Sequence, residues 1–284
     1  MPNIDQFESA FKAADKTLFA PESVSIKSVL VITDVDQTQS EQFTDRSRHF
    51  MNVLEQDSVQ WSVLDGDQFA SVGELLQKVE NHQVDLVCTY RNLTSEMEHA
   101  YSLGVYVDVL AQVTAAPVLL LPHPRVLREN EELLNDTKNV MAITDHMTGD
   151  HHLVSYAARM TADHGTLFLT HVEDETTFER YMETIGKIPT MDTESAREEL
   201  IGRLLKDPRD YIQSCRKVLQ KAGAQIEVED IVMLGHRLAD YERLIKERST
   251  DLLVLNTKDE NQLAMHGQAY PLTVELRETA MLLL

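Results

Sequence analysis

The densest grouping of side chains able to do chemistry is Asp145-His146 followed by Asp150, His151 and His152. Adjacent imidazoles beside a carboxylate suit a transition metal, and a turn at the carboxyl end of a strand would present them. The spacing does not complete a ligand set, so these residues read as a solvated helix start and no metal is expected. His171 falls inside an apolar run and reads as a packed, hydrogen-bonded strand residue rather than an acid or base. Cys88 and Cys215 stand far apart, without a CxxC pair, and read as reduced structural thiols. No Ser/His/Asp or Cys/His arrangement, Walker loop or dinucleotide fingerprint stands out. The chain therefore reads as non-enzymatic, with no catalytic residues and no cofactor.

The elements that must position these groups follow an alternating grammar. Residues 29–33, 61–64, 85–89 and 117–121 are short apolar, β-branched runs. Between them, helical spacing is expected at about 40–56, 72–82 and 103–114. Strands that are apolar throughout predict a parallel sheet covered by helices on both faces. Ahead of them, Ile4, Phe7, Phe11, Leu18 and Phe19 recur at helical spacing, which predicts a helical extension over residues 1–26.

The grammar then restarts. Pro122, Pro124 and the charged stretch 125–137 read as a linker, closing a first unit at 27–124 and opening a second at 138–284. Residues 140–145 repeat the pattern of 29–34, each ending Thr-Asp. Asp251 with its apolar run echoes Asp85, and Gly267 precedes Met281 by the interval that separates Gly104 from Val118. Three anchors in the same order indicate an internal duplication. The interval from Asp34 to Asp85 is about half that from Asp145 to Asp251, so the first unit lacks a β–α unit. The second has an extra strand at 166–172, a helical insertion at 175–205 and another helix at 207–222.

These segments resemble the universal stress protein family: the opening strand with its terminal Asp, the second-strand-like Leu169 to Val172, and Gly104 leading through Ala116 and Pro117 to the closing strand. The resemblance implies two flavodoxin-like or adenine-nucleotide α-hydrolase-like domains joined through their fifth strands as an intrachain pseudo-dimer. An apolar strand at 281–284 would be an aggregation site if unpaired, which also predicts pairing with 117–121. A further homodimer is left open.

Family members that bind ATP carry glycines after the fourth strand, where backbone N–H groups cradle phosphates. Here residues 90–97 contain no glycine; Gly104 and Gly267 match the last glycine, followed by Val105 and Gln268. Asp259 and Glu260 place negative charge where phosphates would sit. By resemblance, the ligand pocket would draw on Asp34, Arg91, Gly104, Asp145 and Gly267, with Arg91 offering a guanidinium fork in place of the cradle. Asp34 and Asp145 serve equally well as caps of the next turn or helix, and Arg91 as a partner for a carboxylate. The expectation is a stress-response protein acting through protein or small-molecule contacts without ATP. The alternative is adenine-nucleotide sensing, or slow ATPase activity, in the first unit.

Composition narrows the partners. With 47 acidic against 26 basic residues the net charge is −21, a field that repels nucleic acid and anionic membranes. The hydrophobic content of 43% can build a large core, yet no run approaches the roughly 20 residues that span a bilayer. The first residues alternate Asp, Glu and Lys with apolar side chains, unlike a secretory signal. A cytoplasmic protein is expected.

Overall fold

The structure, a computed structural model, describes residues 17–94, 102–130, 133–144, 146–190, 192–257 and 269–284. Among these residues nine strands form one sheet: β1 (Ser28–Ile32), β2 (Gln60–Leu64), β3 (Leu86–Tyr90), β4 (Val118–Leu121), β5 (Asn139–Ile143), β6 (Thr166–Asp174), β7 (Glu227–Gly235), β8 (Leu252–Leu255) and β9 (Ala280–Leu283). Their order is β2-β1-β3-β4-β9-β8-β5-β6-β7. Neighbours are parallel except for β4 and β9, which are antiparallel. Helices α1 (Gln37–Phe50), α2 (Val72–His82), α3 (Val105–Val113), α4 (Pro124–Glu129), α5 (His151–Met160), α6 (Glu175–Ile185), α7 (Thr193–Lys221), α8 (Arg237–Glu247) and α9 (Ala269–Glu275) complete a doubly wound α/β fold. The central strands β1, β3, β4, β5, β8 and β9 are buried along nearly their whole length because helices shield both faces from water. No helix among the described residues is long and apolar enough to cross a membrane.

The sheet reads outward from β4 and β9 in the same sense on both sides, and matching residues make matching contacts. At the amino end of β3, Asp85 Oδ2 accepts the Lys27 and Ser28 N–H groups at 2.9 and 3.0 Å and the Ser28 hydroxyl at 2.9 Å. At the amino end of β8, Asp251 Oδ2 accepts the Asn139 N–H at 2.7 Å. Each carboxylate holds the start of the adjacent first strand in register. Their protonation differs. Burial works to raise the Asp85 pKa, but donors from Lys27 and Ser28 outweigh it and hold it below the usual value. Asp251 has fewer donors, and burial, aided by Asp136, pushes it up to about 6.

Several elements depart from the sequence expectation. Residues 17–27 are not helical; they form a strap across the second half of the sheet, with residues 1–16 outside the described set. Phe19 is buried there, and its N–H donates to Ser214 Oγ at 2.9 Å. The Glu22 N–H donates to Ser155 Oγ at 2.9 Å. The 125–137 stretch contains α4, started by Pro124 at its first position. The break expected between 205 and 207 is absent, since α7 runs through Pro208 with Tyr211, Ile212 and Cys215 buried beneath it. Packing of that face outweighs the loss of one N–H. β7 was not legible because Glu227, Glu229 and Asp230 interrupt its apolar pattern.

The Asp251 shift gives a pH prediction. A carboxyl whose folded pKa lies above its unfolded value stabilises the fold when protonated, and that contribution is lost as pH rises through about 6. Asn in its place keeps an acceptor for the Asn139 N–H without the charge. In urea melts between about pH 4 and pH 7, Asp251→Asn should flatten the decline and be at least as stable as wild type at the upper end.

Candidate functional site

From β1 the chain builds outward to β2 on one side and, later, to β3 on the other, leaving a crevice at their carboxyl ends where open α/β sheets hold ligands. Asp34 follows β1 and Tyr90 ends β3, so the topology sets them face to face. The Tyr90 ring is fully buried and stands edge-on to Phe43, with centroids 5.1 Å apart, and to His123 at 5.3 Å. Its hydroxyl donates to Asp34 Oδ1 and accepts the Asp34 N–H at 2.9 Å. The second carboxylate oxygen, Oδ2, accepts the Thr94 N–H.

That last bond draws the loop after β3 down onto Asp34. Asn92 and Thr94 both take φ near 58°, in the left-handed region that most side chains avoid. The loop is pinned again where the Asn92 N–H donates to the Leu103 carbonyl at 2.8 Å. Burial, then the bond to Asp34, keeps the Tyr90 hydroxyl protonated well above its ordinary range. Burial lowers the His123 pKa although Asp34 opposes it, so the ring is neutral at pH 7. Its Nδ1 accepts the Arg125 N–H at 3.2 Å, capping α4. Outside this knot lies a cavity of about 850 Å³ whose lining includes Asp34, Asp36, Gly66, His123, Arg125 and Arg128. The backbone of β1's exit presses close to Gly66, where a Cβ would sit 3.0 Å from Asp34 Cα.

Arg91 does not join this site. Its side chain is 4% exposed and crosses to the other half of the sheet. There Nη1 donates to the Thr273 carbonyl, and Nη2 donates to the Leu276 carbonyl at 2.7 Å. It therefore caps the carboxyl end of α9, where a cation is favoured by the helix dipole. No carboxylate contacts it among the described residues. Burial, and then Arg277, lower its pKa to about 9. Thr257, the matching residue after β8, donates to the Leu284 carbonyl at 2.8 Å and reaches the Ala111 carbonyl of α3 at 3.5 Å. Gly104 serves the backbone: with φ at 86° it caps α3 in a conformation that glycine adopts readily. Asp145 and Gly267 lie outside the described residues, as do Asp259 and Glu260.

The Asp/His cluster is dispersed among structural tasks. Asp150 accepts the Leu153 N–H at 3.0 Å, capping α5, and takes the Asn256 amide at 2.7 Å. His151 Nδ1 bonds the Tyr211 hydroxyl at 2.8 Å, and His152 Nδ1 lies 2.7 Å from a Glu22 carboxylate oxygen on the strap. His146 is exposed. His171 is buried in β6 with Nε2 3.2 Å from Glu173; burial lowers its pKa against the pull of that carboxylate. No group of three or more His, Cys, Asp or Glu residues among those described could hold a metal.

Tyr90, Thr94 and His123 are the site residues that the sequence reading missed. A tyrosine closing an otherwise aliphatic strand directly before the loop was the available signal. Tyr90→Phe removes the donor to Asp34 Oδ1 and the acceptor for the Asp34 N–H. It should cost about 1–3 kcal/mol of stability, read from the urea midpoint.

No protein-family model matches the sequence, and neither does any curated protein. Among solved structures, a functionally unknown protein from Pseudomonas aeruginosa PAO1 is similar at 14% identity and a TM-score of 0.49, over 92% of each chain. A universal stress protein from Archaeoglobus fulgidus DSM 4304 is similar at 9% identity and a TM-score of 0.47, over 91% of this chain and 98% of that one. Both are likenesses of the α/β architecture, and neither carries an activity, ligand or partner over to this chain.

Proposed function

We propose that this chain is a non-enzymatic protein of the universal-stress type that works through contacts with other molecules rather than turnover, with its nucleotide crevice closed by its own side chains. The supporting observation is the state of Asp34. Both carboxylate oxygens are taken, by the Tyr90 hydroxyl and the Thr94 N–H, and the second bond pulls the loop after β3 into the crevice. A phosphate cradle needs backbone N–H groups turned toward the ligand; the N–H groups of Asn92 and Thr94 are committed to Leu103 and Asp34. Arg91, the cation that directly follows β3 and could have replaced the cradle, caps α9 instead.

The second reading, adenine-nucleotide binding by the first half, draws on the cavity of about 850 Å³ and its rim of Arg125 and Arg128, a size typical of small-molecule sites. It requires Asp34 to be released. Thermal-shift titration with ATP and AMP, with and without Mg²⁺, separates the two. The first reading expects no shift at millimolar nucleotide. A ligand at 100 times its Kd would stabilise the fold by about 2.7 kcal/mol, and saturable stabilisation of that kind, lost in Arg125→Ala/Arg128→Ala, would establish the second.

A further inference from the structure

The sheet has two outer edges, and they are finished differently. In β7 the Glu227 N–H donates to the Gly165 carbonyl on the β6 side at 2.9 Å, so the even-numbered residues turn their backbone groups outward. Helix α7 covers part of this edge: Arg216 Nε donates to the Val228 carbonyl and Arg209 Nη2 to the Val232 carbonyl, each at 2.9 Å. Charged Glu227, Glu229 and Asp230 further oppose the approach of another strand.

Among the described residues, no side chain bonds the outward backbone groups of the β2 edge in this way. The Gln60 N–H donates to the Lys27 carbonyl at 2.8 Å and the Leu64 carbonyl accepts the Thr33 N–H at 3.0 Å, so the even-numbered residues face β1. Trp61 and Val63 therefore turn their N–H and C=O groups outward. The matching residues of β6, Leu167 and Leu169, have β7 beside them; among the described residues β2 ends the sheet. The strand carries no charge and no proline, and Val63 is 38% exposed.

We propose that β2 pairs with β2 of a second copy of this chain, antiparallel, about a two-fold axis through Ser62. In this register Trp61 of one copy and Val63 of the other exchange both backbone hydrogen bonds, and the axis repeats the pair. The same two positions share one face of the strand. Each cross-strand pair thus sets an aromatic side chain against a β-branched one, a favoured combination, with no like charges directly opposite. Because both copies use the same edge, the two-fold operation closes at two copies and does not propagate into a filament. The contact is a single short strand, which places it among transient interfaces. The charge of −21 on each copy opposes it and is screened by salt.

Sedimentation of the full chain, from low micromolar to near-millimolar concentration at low and high salt, tests the proposal. A monomer–dimer equilibrium is expected, tightened severalfold by salt. Val63→Lys should abolish it with circular dichroism and Tm unchanged. Ser62→Cys, on the axis at a non-hydrogen-bonded pair with Cα atoms about 4.5 Å apart, should cross-link two copies on oxidation. Gln60→Cys, away from the axis, should not, and native Cys88 and Cys215 are buried and give no background. A monomer throughout, or a dimer that Val63→Lys leaves intact and Ser62→Cys does not trap, overturns the proposal.

Discussion

Leu119 lies opposite Leu282 in the antiparallel register that also brings Val118 to Leu283 and Leu120 to Met281. Without that pairing each side of the sheet would end in an apolar strand with a bare row of backbone donors and acceptors, a template for aggregation. All six side chains are at most 2% exposed, and burying each aliphatic chain is worth about 1.5–3 kcal/mol. The seam makes one hydrophobic core of the two sides. It also sets the geometry for the contacts that cross it, Arg91 to the end of α9 and Thr257 toward α3. The strap at residues 17–27 adds a third crossing over α5 and α7.

Arg91 shows how this constraint redirects chemistry. Successive side chains on an extended segment point to opposite sides. Tyr90 turns to Asp34 and the crevice, so Arg91 turns to the seam and the carbonyls beyond it. A guanidinium that a sequence reading places beside phosphates is thereby spent on holding two parts of the chain together. Tyr90 then fills the place left at the crevice. Its hydroxyl serves as donor to the Asp34 carboxylate and acceptor for the Asp34 N–H, while its ring packs against Phe43 and His123. The result is a rigid knot of short-range polar bonds at the position where an open α/β fold ordinarily receives a ligand.

Most strands were legible because a strand buried on both faces must be apolar along its length, as 29–33, 117–121 and 281–284 are. The repeated Asp anchors were legible for a related reason: Asp85 and Asp251 hold the starts of β1 and β5, a task set by backbone geometry that recurs with the fold. What escaped was decided by long-range contact. β7 sits at an edge, so its charges are tolerated. Pro208 sits on a packed face, so α7 does not break. Phe19 finds its partners in Ser214, His151 and Tyr211, far along the chain, rather than on a local helix.

The amino-acid sequence alone determined the alternation of elements and the absence of glycine from residues 90–97 after β3, because hydrophobic period and residue type act locally. It could not decide where side chains at the ends of those elements point. Whether Arg91 reaches a ligand or α9, whether Asp34 is free or tied, and which sheet edge a helix covers depend on neighbours brought together only when β4 meets β9 and α7 folds over β7.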